Sequence, residues 1–290
     1  MTQNAANLLE IENVTKRLGA FKLENVSFKV PEGFIMGFVG PNGAGKTSTI
    51  KLILGMLTME QGNIKVLGNN RVPLKGEVKE KIGVVMDNPY YVKDWTVQEV
   101  AGVIRPFYRN WDDGRYKRLI DEFNLSPKKK VKELSRGMGM KLMIAVALSH
   151  DARLLILDEP TSGMDPVARD EFIDILTEYM TEEGRGVLFS THITSDLEKI
   201  ADYITFIKEG RIVYTGTKED LLENYLLVKG GKGEMPQDLK TKVYGYREYG
   251  TGFEALAPAS LKSRLPGKLV TDPANLDEII VHMNKGGVSL

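Results

Sequence analysis

Hydrophobic and polar positions follow two alternating patterns between residues 9 and 216. Short β-rich runs alternate with segments of helical spacing, and this order favours an α/β fold with a largely parallel sheet. The runs FIMGFVG (residues 34–40) and LLILD (residues 154–158) are almost continuously apolar, which predicts strands covered on both faces. The alternating runs LEIENV (residues 9–14) and GNIKVLG (residues 62–68) predict sheet edges with one wetter face.

The strand pattern disappears between residues 88 and 150. Segments 96–108 and 116–123 have helical spacing instead, so we expect an inserted helical subdomain. Beyond residue 216 the composition changes to a Gly- and Lys-rich stretch. We therefore predict a main domain over residues 1–216 and a small C-terminal α+β accessory region over residues 217–290. Its last helix is predicted to have Asp272 as N-cap and Pro273 at the first position.

Composition removes several function classes. The 290-residue chain has 39 Lys and Arg against 39 Asp and Glu, so no global field attracts nucleic acid. It has no cysteine, which excludes a disulfide partner and a thiolate metal site. The N-terminus has no signal-peptide pattern, and the longest apolar runs fall far short of the roughly 20 residues of a membrane-spanning helix. We expect a protein that is not secreted and that leaves membrane work to another chain.

The segment GPNGAGKT (residues 40–47) stands between a predicted strand and a predicted helix. A P-loop requires this order, because glycines let backbone N–H groups close around phosphate oxygens at a helix N-terminus. We expect Lys46 to reach the β- and γ-phosphates of a nucleotide and the Thr47 hydroxyl to bind Mg²⁺. The alternative, an ordinary Gly-rich turn, fits this context poorly. The predicted nucleotide-binding residues here are Gly40, Pro41, Asn42, Gly43, Ala44, Gly45, Lys46, Thr47 and Ser48.

Two carboxylates, Asp158 and Glu159, come at the end of the apolar run LLILD. Ligands of open α/β sheets bind at the carboxyl ends of the strands, so both side chains are expected to face the nucleotide. Asp158 can hold the water shell of Mg²⁺, and Glu159 can orient or deprotonate the attacking water. Taken alone, the pair also fits a solvated acidic turn, although less well. With the upstream P-loop, it predicts an enzyme that binds ATP and Mg²⁺ and hydrolyses the nucleotide.

The P-loop and the acidic pair, in this order, resemble those of the nucleotide-binding subunits of ABC transporters over about residues 8–216. The sequence LSRGM (residues 134–138) is similar to that family's signature. The resemblance implies that Ser135 and Gly137 contact the γ-phosphate bound by a second subunit. It also implies a P-loop NTPase core of ABC ATPase type, with a mixed sheet and an inserted helical subdomain at about residues 88–150.

Two further segments carry the resemblance. SGMD (residues 162–165) is similar to the family's D-loop, although Asp165 before a proline also suits a helix N-cap. STHIT places His192 at the position of the switch histidine, which implies a contact with the γ-phosphate. By resemblance, the catalytic residues are Glu159, His192 and Lys46.

Several positions depart from the family pattern. Asp87 stands where most relatives have Gln, and its shorter, charged side chain either holds a metal-bound water or weakens coupling. Leu18 stands where an aromatic residue of the family usually stacks on adenine, and Phe21 is a nearby substitute. Arg136 either adds positive charge near the facing phosphate or points to solvent. The expected metal-binding residues are Thr47, Asp158 and Asp87.

The resemblance extends to partners and cargo. It implies a second ATPase subunit across the nucleotide and a separate membrane permease, so the chain is expected at the cytoplasmic face of the membrane. Signatures like LSRGM resemble those of bacterial exporters of drugs, lantibiotics or toxic peptides. Tyr90, Tyr91 and Trp95 either dock the permease or pack in the core. The alternatives are a soluble ABC-type ATPase and an ATP-binding regulator without transport.

Overall fold

The structure is a computed structural model that describes residues 6–70 and 76–285. Most of its strands and helices alternate along the first three quarters of the chain. The strands, in chain order, are β1 (Asn7–Leu18), β2 (Phe21–Pro31), β3 (Ile35–Val39), β4 (Gln61–Val66), β5 (Asn69–Asn70), β6 (Ile82–Val85), β7 (Leu154–Asp158), β8 (Gly186–Thr191), β9 (Tyr203–Lys208), β10 (Arg211–Thr217), β11 (Tyr225–Gly231), β12 (Tyr244–Glu248), β13 (Gly252–Pro258) and β14 (Val270–Pro273).

The helices connect these strands and cover the sheets. Three short 3-10 helices span Arg105–Phe107, Val131–Glu133 and Ala259–Arg264. The α-helices, in chain order, are α1 (Lys46–Ile53), α2 (Gly76–Lys79), α3 (Val97–Ile104), α4 (Asp113–Glu122), α5 (Arg136–Leu148), α6 (Pro166–Met180), α7 (Thr194–Ile200), α8 (Lys218–Glu223), α9 (Gln237–Lys240) and α10 (Leu276–Asn284). No helix in the described part of the chain is long and apolar enough to cross a bilayer.

A six-stranded sheet forms the centre of the fold, with strand order β10-β9-β3-β8-β7-β6. All its pairs are parallel except β9 with β10. Strands β3, β7 and β8 are buried along their whole length, which the continuous apolar runs predict for β3 and β7. The carboxyl ends of these three neighbouring strands therefore meet at one edge of the sheet.

A second sheet is antiparallel, with strand order β2-β1-β4-β5. The prediction that residues 9–14 and 62–68 form sheet edges is wrong, because β1 pairs with both β2 and β4, and β4 pairs with both β1 and β5. Their alternation reflects one face packed in the core and one face turned to water. It carries no information on how many neighbours a strand has.

The segment from residue 88 to residue 150 is helical and lies between β6 and β7. It contains α3, α4 and α5, and its packing on the central sheet includes contacts of α5 with β6. The predicted helix over residues 96–108 is shorter than expected, because α3 ends at Ile104 and Pro106 lies in a 3-10 turn. The second helix begins earlier than expected, at Asp113, where the Asp112 side chain caps it.

The C-terminal region contains the sheet β12-β13-β11-β14 and helix α10. The predicted cap of the last helix at Asp272 and Pro273 is wrong, because both residues belong to β14, which pairs with β11. Helix α10 begins three residues later, where Asn275 and Glu278 form a capping box. Pairing with a distant strand outweighed the local Asp-Pro signal. The predicted boundary at residues 216 and 217 stays a prediction.

Candidate active site

The P-loop connects β3 to α1, and its shape depends on glycine. Gly45 has φ +112°, and a Cβ atom there would lie 2.5 Å from a methyl carbon of Leu23 and 3.1 Å from the ring of Phe21. At Gly40 a Cβ would lie 2.3 Å from the carbonyl oxygen of Ile207. Side chains at these positions would push the loop away from its neighbours. Glycine therefore keeps the backbone N–H groups at the N-terminus of α1 available to an anion.

Lys46 is the first residue of α1 and is only 6% exposed. Its Nζ atom donates hydrogen bonds of 2.7 Å to the carbonyl oxygen of Gly40 and 3.4 Å to that of Pro41. The same atom lies 3.4 Å from Oε1 of Glu159. The positive charge of this ammonium group therefore lies inside the P-loop, where the oxygens of a bound phosphate would contact it.

Asp158 is fully buried at the end of β7. Its Oδ1 atom accepts a hydrogen bond of 3.1 Å from Ser190, whereas Oδ2 is buried and has no partner among the described residues. Burial raises the pKa of the Asp158 carboxyl; the nearby carboxylates of Asp87 and Glu159 raise it further, while the hydroxyls of Thr47 and Ser190 oppose the shift. A buried carboxylate oxygen without a donor has the chemistry of a cation ligand.

The donor set around Asp158 suits Mg²⁺ better than ions that need a full protein cage. Across residues 6–70 and 76–285, no group of three or more His, Cys, Asp or Glu side chains could hold a metal ion. Mg²⁺ is bound through one or two carboxylates together with water and substrate phosphates. Thr47, Asp87 and the free oxygen of Asp158 fit that mode, and they lie beside the P-loop.

Glu159 lies between two groups that fix its carboxylate. Its backbone has φ +52°, which is unusual for a residue with a side chain, and its N–H donates to the carbonyl of Ser190 at 2.8 Å. The Nδ1 atom of His192 lies 2.7 Å from Oε2, and Lys46 lies near Oε1. The Thr191 hydroxyl is 3.5 Å from Oε2. The strained backbone is thus held by β8 through Ser190, and the carboxylate is held by α1 and by residues at and just after the end of β8.

A cleft of about 380 Å³ brings most of the predicted site residues together. Leu18 is not among its described lining residues, whereas Phe21 is. Arg136 is exposed and also lines the cleft, where its Cδ lies 3.1 Å from a Cβ built on Gly163. The lining residues are Phe21, Pro41, Asn42, Gly43, Gly45, Lys46, Thr47, Ser48, Asp87, Arg136, Glu159, Ser162 and His192.

The two remaining predicted segments lead into helices. Each gives one residue to the described lining of this cleft, Arg136 and Ser162, whereas Ser135, Gly137 and Asp165 are not part of that lining. Ser135 caps α5, since its Oγ accepts a hydrogen bond of 3.3 Å from the N–H of Met138. Asp165 caps α6 by accepting from two backbone N–H groups at 3.0 Å, and the N–H of Ala168 is the main cause of its lowered pKa. A Cβ on Gly137 would lie 3.0 Å from the carbonyl oxygen of Gly163, so the signature and D-loop segments touch.

Comparison with known proteins agrees with this geometry. A family model described as ABC transporter matches residues 23–162. The uncharacterized ABC transporter ATP-binding protein YhcH of Bacillus subtilis (strain 168) is 34% identical over 213 residues, which cover 71% of this chain and 68% of YhcH. The chain belongs to the ABC transporter ATP-binding proteins. The predicted family and the prediction of an ATPase are thereby confirmed.

Two further similarities concern this ABC ATPase. The lantibiotic transport ATP-binding protein SrtF of Streptococcus pyogenes is 33% identical over 231 residues, covering 76% of this chain and 98% of SrtF. A solved structure of the ATP-binding subunit of an ABC transporter has 28% identity and a TM-score of 0.68, covering 74% of this chain and 91% of that chain. The predicted fold class, a P-loop NTPase core of ABC ATPase type with a mixed sheet, is confirmed.

The sequence motifs do not predict a role for three polar residues around the site of the ABC ATPase, which are Thr161, Ser190 and Asp196. Ser190 holds Asp158, and Thr161 donates a hydrogen bond of 2.7 Å to the buried carboxylate of Asp196. Both contacts join positions more than 30 residues apart, so no local motif contains them. One signal was present, because the buried strand GVLFST ends in two polar residues, Ser190 and Thr191. A polar side chain in a fully buried strand needs a partner.

Proposed function

We propose that this ABC ATPase powers a separate membrane permease, and that the pair exports peptides, drugs or other amphipathic compounds. The cargo class is suggested by similarity to the lantibiotic transport protein SrtF. The observation that carries the proposal of turnover is the clustering of Lys46, Glu159 and His192 in one cleft. The proposed location is the cytoplasmic face of the membrane, through the permease.

In the proposed reaction, Glu159 orients a water molecule and takes its proton. The water oxygen attacks the γ-phosphorus, and the bond to the bridging oxygen breaks, which leaves ADP and inorganic phosphate. Lys46 would stabilise charge on the phosphate oxygens, and His192 would hold the Glu159 carboxylate and contact the γ-phosphate. Thr47, Asp158 and Asp87 would hold Mg²⁺, whose charge lowers the negative potential of the phosphates when the ion is bound.

A second copy of the chain, or a related subunit, is proposed to complete the site. Ser135 begins α5, an α-helix of 13 residues whose N-terminus offers N–H groups to an anion. Arg136 lines the cleft of its own chain, whereas Ser135 and Gly137 are outside its described lining. By resemblance to the family, the γ-phosphate that these two residues contact would be bound by the other subunit. ATP would then join the two subunits, and hydrolysis would release them. Asp165 lies beside this interface, in the segment that touches Gly137.

The proposed permease site is an apolar groove of about 520 Å³ beside β6. Met56 and Tyr90 line it and are 63% and 55% exposed, whereas Tyr91 is 7% exposed and packs in the core. Asp87 lines both this groove and the nucleotide cleft. A helix of the permease seated in the groove would therefore touch a residue that also faces the nucleotide. This supports docking through Tyr90 and core packing for Tyr91.

The proposed mechanism is tested by Mg²⁺-dependent ATPase activity as a function of protein concentration. We expect activity to rise faster than linearly with concentration, because two chains form each site. Glu159→Gln is expected to lower kcat by about 10²–10⁴-fold while ATP still binds. Glu223→Gln, at an exposed position at the end of α8, is the matched control and keeps wild-type activity. Linear concentration dependence would reject the shared site, and normal turnover of the Glu159 variant would reject its role as base.

A further inference from the structure

Helix α7 begins at Thr194, two residues after His192, and is joined to the catalytic segments by a buried hydrogen bond. The Oδ2 atom of Asp196 accepts this bond from the Thr161 hydroxyl at 2.7 Å. Asp196 is 5% exposed and Thr161 is fully buried, so water does not compete for the contact. Thr161 is two residues beyond Glu159. The first turn of α7 is therefore connected to His192 through the chain and to the segment after Glu159 through the hydrogen bond from Thr161.

The other side of α7 is held by the C-terminal region. The buried Thr194 hydroxyl donates a hydrogen bond of 2.8 Å to Oδ1 of Asp277, in the first turn of α10. The backbone N–H of Leu276 donates to Oε1 of Glu198 at 2.8 Å. Leu276 and Leu197 are fully buried in the same hydrophobic cluster. Two hydrogen bonds thus fix α7 against α10, and both helices bury a leucine in the same hydrophobic cluster.

Helix α10 is itself anchored at both ends. At its start, Asn275 and Glu278 form a reciprocal capping box. At its end, the Lys208 ammonium donates to the carbonyl oxygens of Met283 and Asn284 at 3.1 and 3.0 Å. Lys208 belongs to β9 of the central sheet, so α10 cannot rotate without breaking contacts to the ATPase core. The carboxylate of Asp277, in the first turn of α10, is consequently held in a fixed position, where it accepts the hydrogen bond from α7.

We propose that Asp277 is a positioning residue for ATP hydrolysis. Through Thr194 it holds the start of α7, and thereby keeps His192 in the orientation that contacts Glu159. The inference rests on the roles proposed above for Glu159 and His192. It gives the C-terminal region a part in turnover that is separate from nucleotide binding, because Asp277 does not belong to the described lining of the nucleotide cleft.

The test compares kcat and KM for ATP in the full-length chain carrying Asp277→Ala, Thr194→Val or both. Each single change is expected to lower kcat about 3- to 10-fold, because the switch histidine loses its orientation, and to leave KM within about twofold. The double variant is expected to lose no more than the worse single variant, since both remove one contact. Asp277→Asn and Thr194→Ser, which retain acceptor and donor, are expected to restore kcat.

The His192→Ala background separates positioning from a general loss of structure. If Asp277 acts through His192, Asp277→Ala produces no further loss of kcat in that background. Asp272→Asn is the matched control, because its ion pair with Lys229, at 3.2 Å, lies within the C-terminal sheet. Equal loss in both backgrounds, additive single effects or unchanged kcat would overturn the proposal. Glu159→Gln, run in parallel, reports separately on the proposed catalytic site.

A second measurement does not depend on turnover. Hydrogen exchange of the amides in residues 192–196 is expected to become faster in Asp277→Ala, while the amides of the P-loop keep their protection. Glu198→Ala removes the other hydrogen bond between α7 and α10 and is expected to act in the same direction, which provides an alternative should Asp277→Ala fail to fold. Unchanged protection of residues 192–196 in these variants would contradict the inference.

Discussion

The Nδ1 atom of His192 lies 2.7 Å from Oε2 of Glu159, although 33 residues separate the two in sequence. The other oxygen of the same carboxylate lies 3.4 Å from Nζ of Lys46. A carboxylate held at both oxygens has one orientation, which is the condition for a general base to meet a bound water in line with the γ-phosphate. The two contacts come from the start of α1 and from the segment after β8, so each can be removed separately.

His192→Ala is expected to lower kcat by about 10- to 100-fold, because Glu159 loses the partner that orients it. ATP binding is expected to persist, since the P-loop is unchanged. Steady-state ATPase assays and equilibrium binding of ATP measure the two quantities. Tyr249→Ala, at an exposed position of the C-terminal region, is the control and should match the wild type. A His192 variant with wild-type kcat would show that Glu159 needs no orientation from this side.

Asp158→Asn is expected to raise the free energy of unfolding at pH 7 by about 0.5–2 kcal/mol and to abolish Mg²⁺-dependent hydrolysis. The reason is that burial raises the pKa of this carboxyl, so its charged form is disfavoured in the folded state. Chemical denaturation measures the stability. Asp238→Asn, which changes an exposed aspartate paired with Arg264, is expected to stay within about 0.5 kcal/mol of the wild type.

The difference in free energy of unfolding between the wild type and Asp158→Asn depends on pH with a fixed sign. Between the ordinary pKa of 3.8 and the raised pKa of Asp158, the folded chain keeps a proton that the unfolded chain has lost. The stability of the wild type relative to the variant therefore falls as pH rises through this window, and is constant above it. A stability difference that is the same on both sides of the window would contradict the assignment.

Phe21→Ala is expected to raise the KM for ATP by about 5- to 160-fold, because stacking of a base on an aromatic ring is worth about 1–3 kcal/mol. The ring of Phe21 lies against Gly45 of the P-loop and lines the nucleotide cleft, so it can take the place of the aromatic residue that Leu18 replaces. Leu18→Ala is the matched control and should change KM little. A rise in KM for Leu18→Ala together with an unchanged KM for Phe21→Ala would place the adenine base against Leu18.

His150→Phe is expected to reduce the acid sensitivity of the fold. Burial lowers the pKa of His150 from 6.5 to about 4, and its ring stacks on Tyr108 at 3.9 Å between centroids. As pH falls from 6.5 to 4 the unfolded chain binds a proton that the folded chain excludes, so about 2–3 kcal/mol of stability is lost. The variant should lack this decline in denaturation series across that range. An unchanged decline would place the acid-sensitive group elsewhere.

Local sequence signals were reliable wherever the relevant contacts are close in sequence. The glycines of residues 40–47 predict the P-loop because backbone conformation alone requires them there, and the run LLILD predicts a buried strand because burial on both faces requires continuous apolarity. The carboxylate pair at Asp158 and Glu159 followed from its place at the end of that strand. These features need no knowledge of distant residues.

Local sequence patterns gave wrong predictions where a residue distant in sequence determines the structure of a segment. The Asp-Pro step at Asp272 suits a helix start, yet residues 270–273 pair with a strand more than 40 positions earlier. The alternation in β1 identifies its wet face but not its two neighbours. The contact between Thr194 and Asp277 spans 83 positions and involves two ordinary polar residues, so nothing in either segment marks it.

Three neighbouring strands carry the phosphate-binding and catalytic loops. The P-loop follows β3, His192 follows β8, and Asp158 and Glu159 stand at the end of β7, in a sheet ordered β3-β8-β7. Hydrogen bonds hold such strands about 4.8 Å apart. The sheet therefore fixes the spacing of this half of the site, and that spacing does not depend on a bound substrate. The Ser135 segment belongs instead to the helical subdomain. If the proposed permease docks on this subdomain, its movement would reach the site as a displacement of Ser135 relative to the three strands.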